Sequence, residues 1–179
     1  GRAGEFLTEG VSTEAEHVRE GRLLYHFRSG PEALAAKNAE FRVIDDDPPF
    51  DRSGMTRVVL DQSGRLIELA VVPPQHETPV STQAPDWMPL LRESAANLRR
   101  LTPVRPEWAA PFDSDAKAAW QTVDARRGVP LRIEASSYHG RPVWFAAIAP
   151  WTRAERMFRP RPMALNRIAT SLNIFFLIA

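Results

Sequence analysis

Four histidines, His17, His26, His76 and His139, are the chain's candidates for metal ligation or proton transfer. None stands at a two-ligand spacing such as HExxH, so a metal site would have to be assembled from distant segments. Asp45, Asp46, Asp47 and Asp51 offer the hard oxygen donors that calcium takes, but the EF-hand spacing is absent and Pro48 and Pro49 interrupt the run. A solvated acidic loop explains them more simply. Glu68 and Glu134 could form a carboxylate pair for general acid–base work, and outward positions on two strands explain both with less. There is no GxSxG elbow, Walker loop, dinucleotide fingerprint, or protein-kinase glycine loop, HRD or DFG signature. With no cysteine there is no thiol nucleophile or thiolate metal site. This chain by itself is therefore expected to be non-catalytic, with no cofactor. A free-standing hydrolase would need a polar cleft built in space.

The five tryptophans, Trp87, Trp108, Trp120, Trp144 and Trp151, are many for 179 residues. Aromatic faces with arginines stacked on them can line a ligand cleft, and filling a core is the commoner use. The set expected to bind is Trp108, Trp120, Tyr138, Arg141 and Trp144, around the second of two hairpins described below.

The elements that must position these residues are short. Sixteen prolines against nine glycines imply stiff connections between brief elements. A capping-box spacing at Thr13–Glu16 predicts a helix to Glu20, 23–27 a strand, Pro31 a short helix over 33–38, and 41–44 a brief strand. Alternating runs at 55–60 and 65–72 flank Asp61-Gln62-Ser63-Gly64 and predict a hairpin. A second hairpin is predicted from 130–135 and 142–149 around Ser137-Tyr138-His139-Gly140. Asp86 and Asp113-Ser114-Asp115 are expected to cap helices carrying Trp87–Ala95 and Ala116–Trp120. The hairpins align on each other: Arg57-Val58-Val59 on Arg132-Ile133-Glu134, and Ser63-Gly64-Arg65 on His139-Gly140-Arg141. The expected fold is α+β: an antiparallel sheet from two helix-plus-hairpin units, an approximate internal duplication, sharing one core with helices on one face.

Charge sets the partner classes. With 23 basic and 22 acidic side chains the net charge is +1, so no basic excess serves a nucleic acid partner. The N-terminal GRAGEFLTEG shows no charged-then-apolar leader pattern. Arg153, Arg156, Arg159, Arg161 and Arg167 precede an apolar run, Leu172 and Ile174–Ala179, which reads either as a docked tail or as the first two turns of a membrane-spanning helix. The chain thus divides into an N-terminal approach (1–22), one sensor-like domain (23–152, units 23–74 and 86–152), a basic juxtamembrane segment (153–171) and the apolar end (172–179).

Several motifs in order carry a resemblance. They are Tyr25-His26-Phe27-Arg28-Ser29-Gly30-Pro31, Asp46-Asp47-Pro48-Pro49, Gly54-Met55, Arg57-Val58-Val59-Leu60-Asp61 and Gly64-Arg65-Leu66. Val72-Pro73-Pro74, Asp86-Trp87, Leu101-Thr102-Pro103-Val104, Trp108, Ala118-Ala119-Trp120, Tyr138-His139-Gly140-Arg141-Pro142-Val143 and Pro150-Trp151-Thr152-Arg153-Ala154-Glu155-Arg156 follow. Together they resemble the region C-terminal to the catalytic domain in a group of bacterial membrane-bound serine/threonine protein kinases. The resemblance covers 23–156; residues 1–22 depart from it. It implies a domain on the extracytoplasmic, periplasmic side of the cell membrane, held by flanking spans, that senses a small ligand or a protein partner in signal transduction. It supplies neither ligand identity nor catalytic residues. Arginines beside a span ordinarily mark the cytoplasmic side, and the 153–167 cluster runs against that placement. The alternative is a binding or inhibitory module that regulates a neighbouring enzyme domain or a protease.

Overall fold

The computed structural model describes residues 6–8, 24–36, 43, 47–76 and 84–157. Among these described residues eight antiparallel strands form one sheet: β1 (Phe6–Thr8), β2 (Leu24–Ser29), β3 (Thr56–Asp61), β4 (Leu66–Val71), β5 (Thr102–Val104), β6 (Ala116–Val123), β7 (Pro130–Tyr138) and β8 (Arg141–Ile148). Their order across the sheet is β1-β2-β3-β4-β8-β7-β6-β5. Each half is a meander, and the short β3–β4, β6–β7 and β7–β8 turns allow only antiparallel neighbours. The halves join where β4 meets β8, with Leu69 opposite Phe145 at the middle of that seam. Both outer strands, β1 and β5, have three residues each.

This corrects the α+β expectation. Among the described residues the α-helix α1 (Met88–Glu93) is six residues long, and what recurs on either side of the seam is a run of strands, with no helix-plus-hairpin unit. The predicted helix at Ala116–Trp120 is the strand β6. Ala116, Lys117, Ala118 and Ala119 suit a helix intrinsically, but all eight residues of β6 pair with β7, and tertiary pairing outweighs a propensity of a few tenths of a kcal/mol per residue. Residues 33–36 carry no helix either. The helix predicted at 13–20 and the strand at 41–44, apart from Val43, lie outside the described residues.

Both hairpins form where alternation and turn chemistry coincide. His139 and Gly140 have φ of 50° and 75°, the two left-handed positions of a tight two-residue hairpin turn. Gly140 adopts this without strain, and histidine is among the side chains that tolerate it.

One face of the sheet carries the apolar core. Leu66, Leu131, Ile133, Ala135 and Phe145 pack with Leu91 and Ala96, and Val58, Leu60, Leu69, Trp120 and Ala147 extend the cluster. α1 covers this face. The N–H of Met88 donates to Asp86 Oδ1 at 2.9 Å, which starts the helix, and Pro89 fits its first turn. Leu91 is 2% exposed, and its burial stabilises by roughly 2 kcal/mol. At the C-terminus Ser94 Oγ donates to the Leu91 carbonyl and accepts from the Ala96 N–H. The chain then passes beneath the sheet end, making bridges from Ser94 to Leu66 and from Ala96 to Asp124. A short 3-10 turn, Leu98–Arg100, follows.

At that end the β3–β4 and β6–β7 turns are tied together. Arg65 reaches Asp61 at 3.2 Å and Asp124 at 3.7 Å, and Arg126 donates to Ser63 Oγ at 2.9 Å. Burial pushes the Asp124 carboxyl up. The N–H groups of Arg127 and Arg126 and the guanidinium charges of Arg65 and Arg127 outweigh it, so the group ends below its ordinary value of 3.8. A lowered folded value means stability that is present above the unfolded value and is lost as pH falls through the folded one. Urea midpoints should therefore drop below about pH 4, and Asp124→Asn should be weaker at neutral pH with a flatter acid limb. An unchanged acid limb in that variant would show that other carboxylates carry it.

Candidate functional site

The opposite sheet face carries charge. Alternation places Arg28, Arg57, Glu68, Glu134 and Ser136 there, since their neighbours Val58, Ile133 and Ala135 pack into the apolar core. Strand register aligns them in two rows. One runs His26, Val59, Glu68, Ala146, Glu134, Ala119; the other runs Arg28, Arg57, Ala70, Trp144, Ser136, Lys117. Two proline-rich loops, 47–54 and 105–114, close over these rows, which is why β7 is buried on both faces along 133–137.

The 47–54 loop is held from below. Arg28, 7% exposed, donates from Nη2 to the Pro48 carbonyl at 2.6 Å. The Phe50 ring lies over both the Arg28 and Arg57 guanidiniums, 5.6 and 5.4 Å away. Arg57 also pairs with Glu68 at 2.7 Å. The 105–114 loop hangs on Glu134, whose Oε1 accepts from the Glu107 N–H at 3.0 Å and from Arg132 Nε at 2.7 Å. Arg132 Nη2 donates to the Arg105 carbonyl. The loops meet at the Phe50 and Phe112 rings, 5.7 Å apart and tilted by 50°. Arg156, in the turn Glu155–Met157 beyond β8, donates to the carbonyls of Ala109 and Ala110.

Two polar atoms beneath this cover lack a hydrogen-bond partner among the described residues, Arg57 Nε and Ser136 Oγ. Ser136 is 1% exposed. Buried polar groups are satisfied in the great majority of cases, so both mark positions where an acceptor oxygen would be compensated. Arg28 and Arg57 together suit an anionic group, carboxylate or phosphate. A shallow polar groove of about 580 Å³ lies nearby, lined by Pro31, Glu32, Asp51, Arg52, Ser53, Val72, Pro73 and Gln75.

The expected ligand residues do not converge. Trp144 lies in the second polar row, and Trp108 belongs to the covering 105–114 loop. Trp120 is on the other face, half-buried and edge-on to Trp87 with ring centres 6.3 Å apart, packed against the apolar core. Tyr138 and Arg141 face each other at the mouth of the β7–β8 turn, where the Tyr138 ring meets His139. Glu134 corrects another expectation: it is 1% exposed, not an outward strand position. Arg132 two residues earlier was the available signal, since i and i+2 share a strand face. Phe50 and Phe112 carried no pattern that reading along the chain could single out.

Comparison with known proteins finds no family model, no curated protein and no solved structure that matches this chain. Among the described residues no three His, Asp or Glu side chains gather as metal ligands would. No helix among them is long and apolar enough to cross a membrane.

Proposed function

We propose that this chain is a non-catalytic sensor or interaction domain of a membrane-bound bacterial serine/threonine protein kinase, on the extracytoplasmic side. It relays binding of a ligand or partner across the membrane. The motif order over 23–156 supports the kinase context. The observation that carries the sensing role is the pair of loops joined over a charged sheet face by the Phe50–Phe112 contact. A sensor needs two arrangements that its ligand binds unequally. Here the closed arrangement satisfies Arg28 through Pro48 and Arg57 through Glu68. An anionic ligand or acidic partner segment entering between the loops offers Arg57 Nε and Ser136 Oγ the acceptors they lack, and so favours the open one.

Two measurements test this. Hydrogen exchange on the full chain should show amides of 47–54 and 105–114 opening well below the global unfolding free energy. Small carboxylates and phosphates, or acidic peptides, should shift that opening, and Arg57→Gln should remove the shift. Loops that exchange only through global unfolding, with no response to any probe, would sink the sensing role. Separately, the coding sequence flanking this segment should contain a kinase domain and an apolar stretch of ~20 residues; a flanking sequence with neither overturns the kinase context.

A further inference from the structure

The sheet end that ties the two turns together also gathers arginines. Arg126 and Arg127 lie in the β6–β7 turn, Arg99 and Arg100 in the 3-10 turn, and Arg92 in the last turn of α1; all five are exposed. The segments that carry them adjoin, because the Ala125 N–H donates to the Ala95 carbonyl at 2.9 Å and the Asn97 N–H to the Val123 carbonyl at 3.0 Å. Arg126 is braced by Ser63. Arg92, Arg99 and Arg100 make no ion pair among the described residues. The carboxylates within 61–66, 92–100 and 122–128 are Asp61, Glu93 and Asp124. Arg65 bridges Asp61 and Asp124, and the Arg127 charge also acts on Asp124, so Arg65 and the five exposed arginines face three carboxylates, a local excess of three positive charges. Leu98, 41% exposed, shares the 3-10 turn with Arg99 and Arg100.

We propose that this end of the sheet docks on an anionic phospholipid bilayer, an inference that rests on the membrane-bound reading above. Guanidiniums bind phosphodiester oxygens bidentately, and a bulky apolar side chain among them suits the headgroup–acyl boundary. These three segments contain no aromatic residue on which a base could stack, so an anionic lipid surface fits better than a single-stranded nucleic acid. Docked in this way, the domain would present its two covering loops from a fixed orientation on the membrane.

The test is flotation of the full chain with vesicles of neutral phosphatidylcholine or of phosphatidylcholine with a quarter phosphatidylglycerol. Each basic residue near such a surface raises partitioning about fivefold. The variant R92Q/R99Q/R100Q, which spares the Arg126–Ser63 contact and the Arg127 charge beside Asp124, should therefore bind anionic vesicles about 100-fold more weakly with its thermal unfolding unchanged. The corresponding lysine set should keep most of the binding, and salt should weaken it steeply. A second variant, F175D/F176D, separates the patch from the apolar tail and should retain binding to anionic vesicles. Binding that ignores the glutamine set but disappears with the tail variant overturns the docking surface and leaves membrane attachment standing. Loss with lysine as severe as with glutamine, no binding by the wild type, or retention of a short DNA duplex in place of vesicles also overturns it. None of these bears on the flanking-sequence test of the kinase reading.

Discussion

Glu134→Ala is expected to destabilise the domain by about 3 kcal/mol, the scale set by removing one partner of a buried ion pair. The carboxylate does two things at once: it neutralises Arg132 and it accepts the backbone N–H of Glu107. Without it, Arg132, whose side chain is 15% exposed, keeps its bond to the Arg105 carbonyl but has for a counter-charge only the Glu107 carboxylate at 3.6 Å, itself 67% exposed. A charge screened by so exposed a partner gains little from it. Glu134→Gln keeps an acceptor for the amide and loses the charge, so it should fall between the two. Urea unfolding at neutral pH reads the energies, and amide exchange at 105–107 reads the loop. A loss below about 1 kcal/mol in the alanine variant would mean that water enters and replaces the carboxylate.

Phe145→Ala should cost about 3–5 kcal/mol, the range for emptying a fully buried aromatic site. Phe145 is 0% exposed and faces Leu69 across the β4–β8 seam and Ala135 across β7–β8. Two of its cross-strand neighbours therefore lose their packing partner together, at the place where the two meanders join. Set against a typical total of about 5–15 kcal/mol, the loss removes a large share of stability. Phe145→Leu keeps most of the volume and should cost less than about 1.5 kcal/mol. If thermal unfolding shows the two substitutions to be equal, the seam is not packed as tightly as its burial indicates.

The two hairpins were legible because two signals agreed at each: period-two alternation and a glycine in the turn. β6 was not legible. Ala116-Lys117-Ala118-Ala119 reads as helix locally, and only its partner β7 tells it otherwise. The proline-rich 105–114 segment was legible as a stiff connection, but not as a cover, since that depends on Glu134 lying beneath it. Trp87 and Trp120 show the same limit. Each was visible as a large aromatic, while their meeting against the core depends on where α1 sits. The charged rows escaped for a related reason: register across six strands assembles them, and no window of contiguous residues contains more than a fragment.

The brevity of the outer strands bears on how the protein behaves when concentrated. A long open strand at a sheet margin recruits other chains, and natural sheets blunt such margins with short strands, proline and lysine. β5 is three residues with Pro103 at its centre, which has no N–H to offer an incoming strand. Beyond it β6 runs on with Lys117, exposed at the uncovered part of its length. At the other margin β1 is equally short. A sheet eight strands wide is thereby made a poor template for its own copies, and the domain should resist fibril growth under conditions where a sheet ending at an uncovered β6 would seed it.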